Sequence, residues 1–297
     1  MANLKGVHFM LPTPFHEDGA LDLDSIGGLM DCAAQAHCTG VVCLGVMGEA
    51  ARLTDAERAL VTERVVREAE GRLTVTVGAT GTGTDAAAQR VREATELGAD
   101  ALMVSPPPIP KQNLDAVSAY FHAVADASPL DLVVQDYPAQ SGVFMPAAFI
   151  ARLTEELPTA HWLKLEDPPT PPKVTAVRAL AGDRLGVFGG LGGVFLLEEL
   201  ARGACGAMTG FAYPEALVET QRLMEAGDAG AAADHFFQWL PLVRYEAQEG
   251  ITLAIRKEIL QRRGMLNSAK VRHPGAVLDP TTRAEMHALV DRIAGEG

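Results

Sequence analysis

The stretch His161-Trp162-Leu163-Lys164-Leu165-Glu166-Asp167 is a short apolar run with a single lysine at its centre. Because Pro168-Pro169 follows it, the run predicts a buried strand that ends at a turn. Side chains alternate along a strand, so Glu166 lies on the same face as Lys164. This strand decides how the rest of the chain is interpreted.

A lysine between apolar neighbours either extends its ammonium to solvent or loses its water. Desolvation favours the neutral amine, which is a nucleophile and forms a protonated imine with a ketone. Glu166 beside it is a candidate proton carrier. From this stretch alone, an edge-strand lysine with a solvated ammonium is the alternative.

On both sides of this strand, predicted strands and helices alternate along the chain. Besides the lysine run, predicted strands cover residues 6–11, 41–45, 73–77, 101–104, 130–135, 185–188 and 206–209. Helical patterns lie between them, one of which opens with the capping-box sequence Thr54-Asp55-Ala56-Glu57. Eight alternating units predict an α/β fold, a closed (β/α)8 TIM barrel. An open doubly wound parallel sheet is the alternative.

The predicted barrel occupies residues 1–226, and residues 227–297 exceed what it requires. Helical patterns at 231–246, 251–263 and 281–294 predict a C-terminal three-helix extension. The densest basic run, Arg256-Lys257 followed by Arg262-Arg263, is predicted to form the exposed side of the second of these helices.

The composition limits the classes of partner. A formal net charge of -13 without a basic stripe argues against nucleic acid. The chain lacks an uninterrupted run of about 18 apolar residues, and its start lacks the apolar core of a signal peptide. We therefore expect a cytoplasmic protein with no nucleic-acid or membrane partner.

Metal and disulfide chemistry have no sequence support. The four cysteines form no CxxC pair, and the histidines and acids show neither HExxH nor calcium-loop spacing. We expect reduced core thiols, no metal and no cofactor. The Gly78–Gly83 run has no phosphate-loop spacing and is interpreted as a connecting loop.

In a barrel of this kind the chemistry lies at the carboxyl ends of the strands. Lys164 and Glu166 lie there, together with the glycine-rich segments 45–49, 189–193 and 209–210. Glycines let backbone N–H groups approach a carboxylate closely, with simple tight turns as the alternative.

The strand end Gln135-Asp136-Tyr137 adds an amide, a carboxylate and a phenol to the same rim. These groups exchange hydrogen bonds or protons with a ligand. Alternation predicts that Gln135 and Tyr137 point into the barrel and Asp136 points outward. A polar strand end exposed to water is the alternative.

With Lys164 on the sixth strand, GxxGE at 45–49 after the second and Asp136-Tyr137-Pro138 after the fifth, the chain resembles the dihydrodipicolinate synthase / N-acetylneuraminate lyase superfamily. The match extends over nearly the whole length. The resemblance implies a Schiff-base lysine at Lys164, a small 2-oxo acid such as pyruvate as the ligand, and a homo-oligomer, commonly a tetramer.

Several positions depart from the pattern of the enzymes that make dihydrodipicolinate. Val46-Met47 replaces a Thr-Thr pair, Pro107-Pro108 and Gln135 replace tyrosines, and Gln140 replaces the arginine that holds the semialdehyde substrate. That synthase activity is therefore not expected. The Gln-Asp-x-Pro, Lys-x-Glu and 206–214 segments are similar to a subgroup that resembles 2-keto-3-deoxy-L-arabonate dehydratase.

The resemblance thus implies dehydration of a 2-keto-3-deoxy sugar acid through a Lys164 imine. The predicted catalytic residues are Lys164, Glu166 and Tyr137, and the predicted substrate-binding residues are Val46, Met47, Gly48, Gln135, Met208 and Thr209. Retro-aldol cleavage of a 4-hydroxy-2-oxo acid to pyruvate is the first alternative. A barrel that binds a keto acid without catalysis is the second.

Overall fold

Eight parallel strands close into one barrel in chain order, which confirms the predicted TIM barrel. The computed structural model describes residues 3–295. Residues 1–2 of the predicted barrel range and residues 296–297 of the predicted extension lie outside the described residues. The strands are β1 (Gly6–Met10), β2 (Gly40–Cys43), β3 (Thr74–Gly78), β4 (Ala101–Val104), β5 (Asp131–Asp136), β6 (Trp162–Leu165), β7 (Gly186–Gly189) and β8 (Gly206–Thr209).

Helices follow the strands and surround the barrel. They are α1 (Ser25–Gln35), α2 (Asp55–Ala69), α3 (Thr84–Glu96), α4 (Leu114–Ala125), α5 (Pro138–Ser141), α6 (Ala147–Glu156), α7 (Thr170–Ala181), α8 (Leu196–Ala201) and α9 (Pro214–Glu225). Three C-terminal helices complete the chain: α10 (Ala229–Glu246), α11 (Thr252–Arg262) and α12 (Pro280–Ala294). None of the helices in residues 3–295 has the length and apolar character needed to cross a membrane.

Alternation along the strands separates two apolar clusters. One fills the barrel interior and contains Met10, Met103, Trp162, Phe188 and Met208. The other lies between the strands and the helices, and includes the intervening residues of the same strands. Because a strand's side chains alternate, the face of each residue at a strand end follows from this division.

The helix ends follow local rules in most places. The capping box at Thr54 and Glu57 is present as predicted. α3 begins at Thr84, and Gly83 occupies the cap position. α7 begins at Thr170 with Pro171 and Pro172 in its first turn. Prolines are tolerated there because the backbone N–H groups of a first turn lack partners.

The prediction for the basic run on α11 is wrong. Arg256 and Lys257 are buried, with 4% and 0% of their surface exposed. Each is paired with a buried carboxylate, Arg256 with Glu246 at 2.9 Å and Lys257 with Glu49 at 2.6 Å. Pairing is what permits a charge to be buried. Glu49 lies 208 positions from Lys257, and Glu246 belongs to the preceding helix α10, so the pattern of α11 by itself reveals neither partner.

Candidate active site

Lys164 lies at the carboxyl end of β6 with its side chain inside the barrel. Its Nζ atom is 3.2 Å from Glu166 Oε2 and 3.7 Å from Met10 Sδ, and the side chain is buried. The solvated edge-strand alternative is therefore excluded. At this distance the amine and the carboxylate are within reach of each other for direct proton transfer.

Glu166 is held in place by donors from two neighbouring strand ends. Gln135 Nε2 donates to Oε2 at 2.7 Å, and the Leu191 backbone N–H donates to Oε1 at 3.2 Å. A Cβ added at Gly190 would lie 2.4 Å from Glu166 Cγ, so a glycine is required there. The carboxylate is thus fixed beside the lysine, an arrangement typical of a group that transfers protons.

Gln135 connects this pair to β4. It lies opposite Lys164 in the register of β5 and β6, and its side chain is buried. Ser105 Oγ donates to Gln135 Oε1 at 2.9 Å, and the Ser105 N–H donates to Thr80 Oγ1 at 2.9 Å. The chain of hydrogen bonds fixes which way the amide points, with its NH2 group toward Glu166.

Asp136 points out of the barrel, as alternation predicted. Lys173 Nζ lies 2.6 Å from Asp136 Oδ2 and 2.6 Å from Asp167 Oδ2. Burial raises the pKa of Asp136 to about 6, against the opposing effect of Lys173. This ion pair joins the ends of β5 and β6 to α7, behind the strand that carries Lys164.

Tyr137 is half-buried and immediately precedes α5, a short helix that the sequence did not predict. Pro138 begins that helix and Gly142, at φ 70°, ends it, which are the preferred positions of these residues. Burial raises the pKa of the Tyr137 phenol, and the charge of Glu166 raises it further. The phenol thus lies within electrostatic reach of the Lys164–Glu166 pair.

The loop after β2 offers unused backbone donors. Among residues 3–295, the N–H groups of Val46, Met47 and Gly48 find no hydrogen-bond acceptor. The Gly48 carbonyl accepts a hydrogen bond from Thr13 Oγ1 at 2.6 Å, which fixes the loop. Consecutive free N–H groups form a concave site for an anion.

The two predicted ligand-binding residues on β8 point in opposite directions. Met208 packs in the interior cluster, below the mouth of the barrel. Thr209 takes the opposite face of the strand, and its buried hydroxyl has no hydrogen-bond partner within residues 3–295. The structure therefore does not bring the Thr209 side chain to Lys164.

Sequence reasoning missed several residues that surround the lysine. Ser105, Met10 and Leu191 contact Gln135, Lys164 and Glu166. The available signal was the position of Ser105 directly after β4, with the same inward parity as Ala101 and Met103. Leu191 contributes only its backbone, which adopts φ 48°, so its side chain gave no signal.

Comparison with known proteins identifies the family of the chain. A model of the dihydrodipicolinate synthetase family matches residues 3–293. The chain belongs to this family. It is accordingly an enzyme of the lyase class, built on the barrel that the family shares.

Individual relatives of the family carry two kinds of name. An L-2-keto-3-deoxyarabonate dehydratase from Azospirillum brasilense is 32% identical over 97% of this chain and 94% of its own. A 4-hydroxy-tetrahydrodipicolinate synthase from Streptomyces coelicolor is also 32% identical, over 96% and 92%. The crystal structure of dihydrodipicolinate synthase from Rhodopseudomonas palustris is 37% identical, with a TM-score of 0.92 and 97% of both chains covered.

Proposed function

We propose that this lyase dehydrates a 2-keto-3-deoxy sugar acid through an imine on Lys164. The observation that carries the proposal is the buried pair of Lys164 Nζ and Glu166 Oε2, 3.2 Å apart inside the barrel. An amine next to a carboxylate supplies both the nucleophile and the proton carrier that imine chemistry needs. The covalent lysine would act in place of a cofactor.

The reaction begins when the neutral Lys164 amine attacks the C2 ketone to give a carbinolamine. The carbinolamine oxygen takes up a proton from solvent and leaves as water, which gives a protonated imine. The free N–H groups of Val46, Met47 and Gly48 are suited to hold the C1 carboxylate. The imine withdraws electrons from C3, and Glu166 takes the C3 proton to give an enamine. The enamine expels the C4 hydroxyl, which leaves as water with the proton from Glu166. Hydrolysis of the remaining imine returns the amine and releases the product.

One carboxyl serves as base and then as acid in this scheme, and its surroundings suit both roles. Gln135 and the Leu191 N–H hold Glu166 in one orientation throughout. A fixed proton carrier reduces the reorganisation that each transfer requires. Gln135 and Tyr137 would orient the hydroxyls of the sugar acid.

The apolar loop and Gln135 argue against a dihydrodipicolinate synthase. Val46 and Met47 carry no hydroxyl, and Gln135 stands where those synthases have a tyrosine. The A. brasilense relative with the dehydratase name covers nearly the whole chain. Relatives named as synthases match as well, so activity has to be measured on the purified protein.

Two measurements test the proposal. Borohydride reduction with pyruvate should modify Lys164, detected by peptide mass mapping, and the Lys164→Met variant should stay unmodified. Incubation with L-2-keto-3-deoxyarabonate should then give a product lighter by one water. An unmodified Lys164 in the natural protein would contradict the imine.

Retro-aldol cleavage is the competing outcome, because it uses the same imine and a base on the C4 hydroxyl. Tyr137, within electrostatic reach of Glu166, is the group that favours it. Cleavage releases pyruvate, which lactate dehydrogenase detects, whereas dehydration keeps all carbons in one product. One pyruvate released per substrate consumed would show that the enzyme cleaves its substrate and does not dehydrate it. That result would still be consistent with the Lys164 imine.

A further inference from the structure

Arg256 brings a positive charge from the C-terminal extension to the mouth of the barrel. The residue lies on α11 and is 96% buried, and its Nε donates to Glu246 Oε2 at 2.9 Å. Glu246 is itself buried and accepts a further hydrogen bond from the Ala212 N–H. These contacts fix the plane of the guanidinium.

The outer nitrogens of Arg256 lack strong acceptors. Nη1 lies 3.2 Å from Met47 Sδ, and a thioether is a weak acceptor. Nη2 lies 2.7 Å from where a Cβ on Gly192 would be, so a glycine is needed to make room for it. Within residues 3–295, neither nitrogen donates to a carboxylate or a carbonyl. The side chain as a whole is buried, yet its outer N–H groups keep donor capacity that the described part of the chain leaves unused.

The surroundings of these nitrogens belong to the candidate active site. Met47 is part of the loop with the free N–H groups, and it packs against the interior cluster that contains Met10. Met10 Sδ in turn is 3.7 Å from Lys164 Nζ. The charge of Arg256 also acts on the Tyr137 phenol, against those of Glu166 and Glu249. Arg256 therefore flanks the site from the side of the extension, beyond Met47.

We propose that Arg256 is a specificity-determining residue whose outer N–H groups bind oxygen atoms at the end of the 2-oxo acid remote from its ketone. The proposal rests on the proposed function, because it takes the ketone to be at Lys164. An extended acid held there would bring its far end toward the extension. A guanidinium accepts either a carboxylate or a pair of hydroxyls with parallel N–H bonds. The extension would then contribute to the site as well as to the fold.

The test compares acids with and without a far end. Arg256→Lys keeps a cation for Glu246 but removes the outer nitrogens, and Arg256→Met with Glu246→Gln removes both charges together. For both variants we expect KM for L-2-keto-3-deoxyarabonate to rise about tenfold to a hundredfold, or the affinity for 2-oxoglutarate to fall by the same factor. Reductive trapping of pyruvate, which has no far end, should stay within about twofold. The acid with the larger loss identifies the bound group as hydroxyl or carboxylate.

Equal losses of pyruvate trapping and of binding of the longer acids would overturn the proposal, since they indicate a structural role. Unchanged binding of both longer acids would overturn it as well. Thermal unfolding of each variant checks the fold. Calorimetric binding of 2-oxoglutarate and of L-2-keto-3-deoxyarabonate in the Lys164→Met background isolates Arg256, because no imine forms there. A natural protein that traps no pyruvate would refute the Lys164 imine, while this calorimetric comparison would still support or overturn the role of Arg256.

Discussion

Two buried lysines in this molecule face a glutamate, and they differ in how fully their ammonium groups are satisfied. Lys257 Nζ donates to Glu49 Oε1 at 2.6 Å and to the carbonyls of Thr13 and Lys270, both at 2.7 Å. Lys164 Nζ has Glu166 at 3.2 Å and the Met10 thioether at 3.7 Å. An ammonium has three donors, so Lys257 is saturated by the protein and Lys164 retains capacity for a ligand.

A lowered pKa does not by itself identify the reactive lysine of this protein. Burial lowers the pKa of Lys257 to about 8, although Glu49 opposes the shift. A lysine with a lowered pKa is a candidate nucleophile, yet Lys257 is enclosed and all its donors are used. Access and unsatisfied donors distinguish a reactive lysine from one that joins parts of the fold.

The largest expected effect is on activity at the open lysine. Lys164→Met removes the nucleophile, and kcat should fall by at least about 10⁴-fold because no imine forms. Gln135 and Leu191 still hold Glu166, so the free energy of unfolding should fall by less than about 2 kcal/mol. Steady-state kinetics and urea denaturation measure both. A variant with a tenth of the natural activity would contradict the comparison.

The same substitution at the saturated lysine should act on stability. Lys257→Met removes a donor from Glu49 and from the buried carbonyls of Thr13 and Lys270 together, which costs about 3–5 kcal/mol of unfolding free energy. Activity per folded molecule should stay within about tenfold. As the control, adding Glu49→Gln removes the carboxylate charge that lost its lysine. It should restore only part of the loss, because Arg52 and the Arg272 N–H also bind that carboxylate. Unchanged stability in the single variant would show that the pair is not structural.

Removing the proton carrier separates imine formation from the later steps. Glu166→Gln keeps an acceptor for the Leu191 N–H but cannot carry a proton, so kcat should fall about 10²- to 10³-fold. Borohydride trapping with pyruvate should persist, because Lys164 is intact. A fall in kcat of less than tenfold would show that another group, such as Tyr137, transfers the proton.

Glu199, a buried carboxyl that is not paired with a lysine within residues 3–295, should make the free energy of unfolding depend on pH, with a smaller effect than the substitutions above. Glu199 is buried, accepts a hydrogen bond from Thr170 Oγ1 at 2.5 Å, and burial raises its pKa to about 7 from the usual 4.5. The folded protein therefore binds more protons than the unfolded chain between these values, and the contribution of Glu199 to stability falls as pH rises from about 4.5 to 7.

Glu199→Gln should remove this dependence and be more stable than the natural protein above pH 7, by up to about 2 kcal/mol. Urea denaturation at pH 5 and pH 8 measures the difference. Parallel stability curves for the two proteins between these pH values would mean that Glu199 stays ionised in the fold.

The smallest expected effect on activity is at Ser105, which is linked to the Lys164–Glu166 pair only through its hydrogen bond to Gln135. Ser105→Ala removes the hydroxyl that orients Gln135, and kcat should fall by about tenfold or less. Ser105→Thr, which keeps a hydroxyl, is the matched control and should lose less. If both variants keep full activity, the orientation of Gln135 does not depend on Ser105.

The local sequence pattern was sufficient to predict the barrel and the direction in which the side chains at the ends of β5 and β6 point. Alternation of apolar runs predicted all eight strands, and the period of two placed Lys164, Glu166 and Gln135 on the inside and Asp136 on the outside. These properties depend on neighbours in sequence, so a sequence is enough to state them. The roles assigned to these residues, and to Tyr137, Val46, Met47 and Gly48, stay predictions.

Other features were decided only by the tertiary structure, because they depend on residues that meet across long stretches of chain. Lys257 and Glu49 are 208 positions apart, and Arg256 and Met47 are 209 apart. Taken alone, α11 has the charges of an exposed helix. Burial became possible for both cations once carboxylates from other elements compensated the lost water, and no local periodicity encodes that compensation.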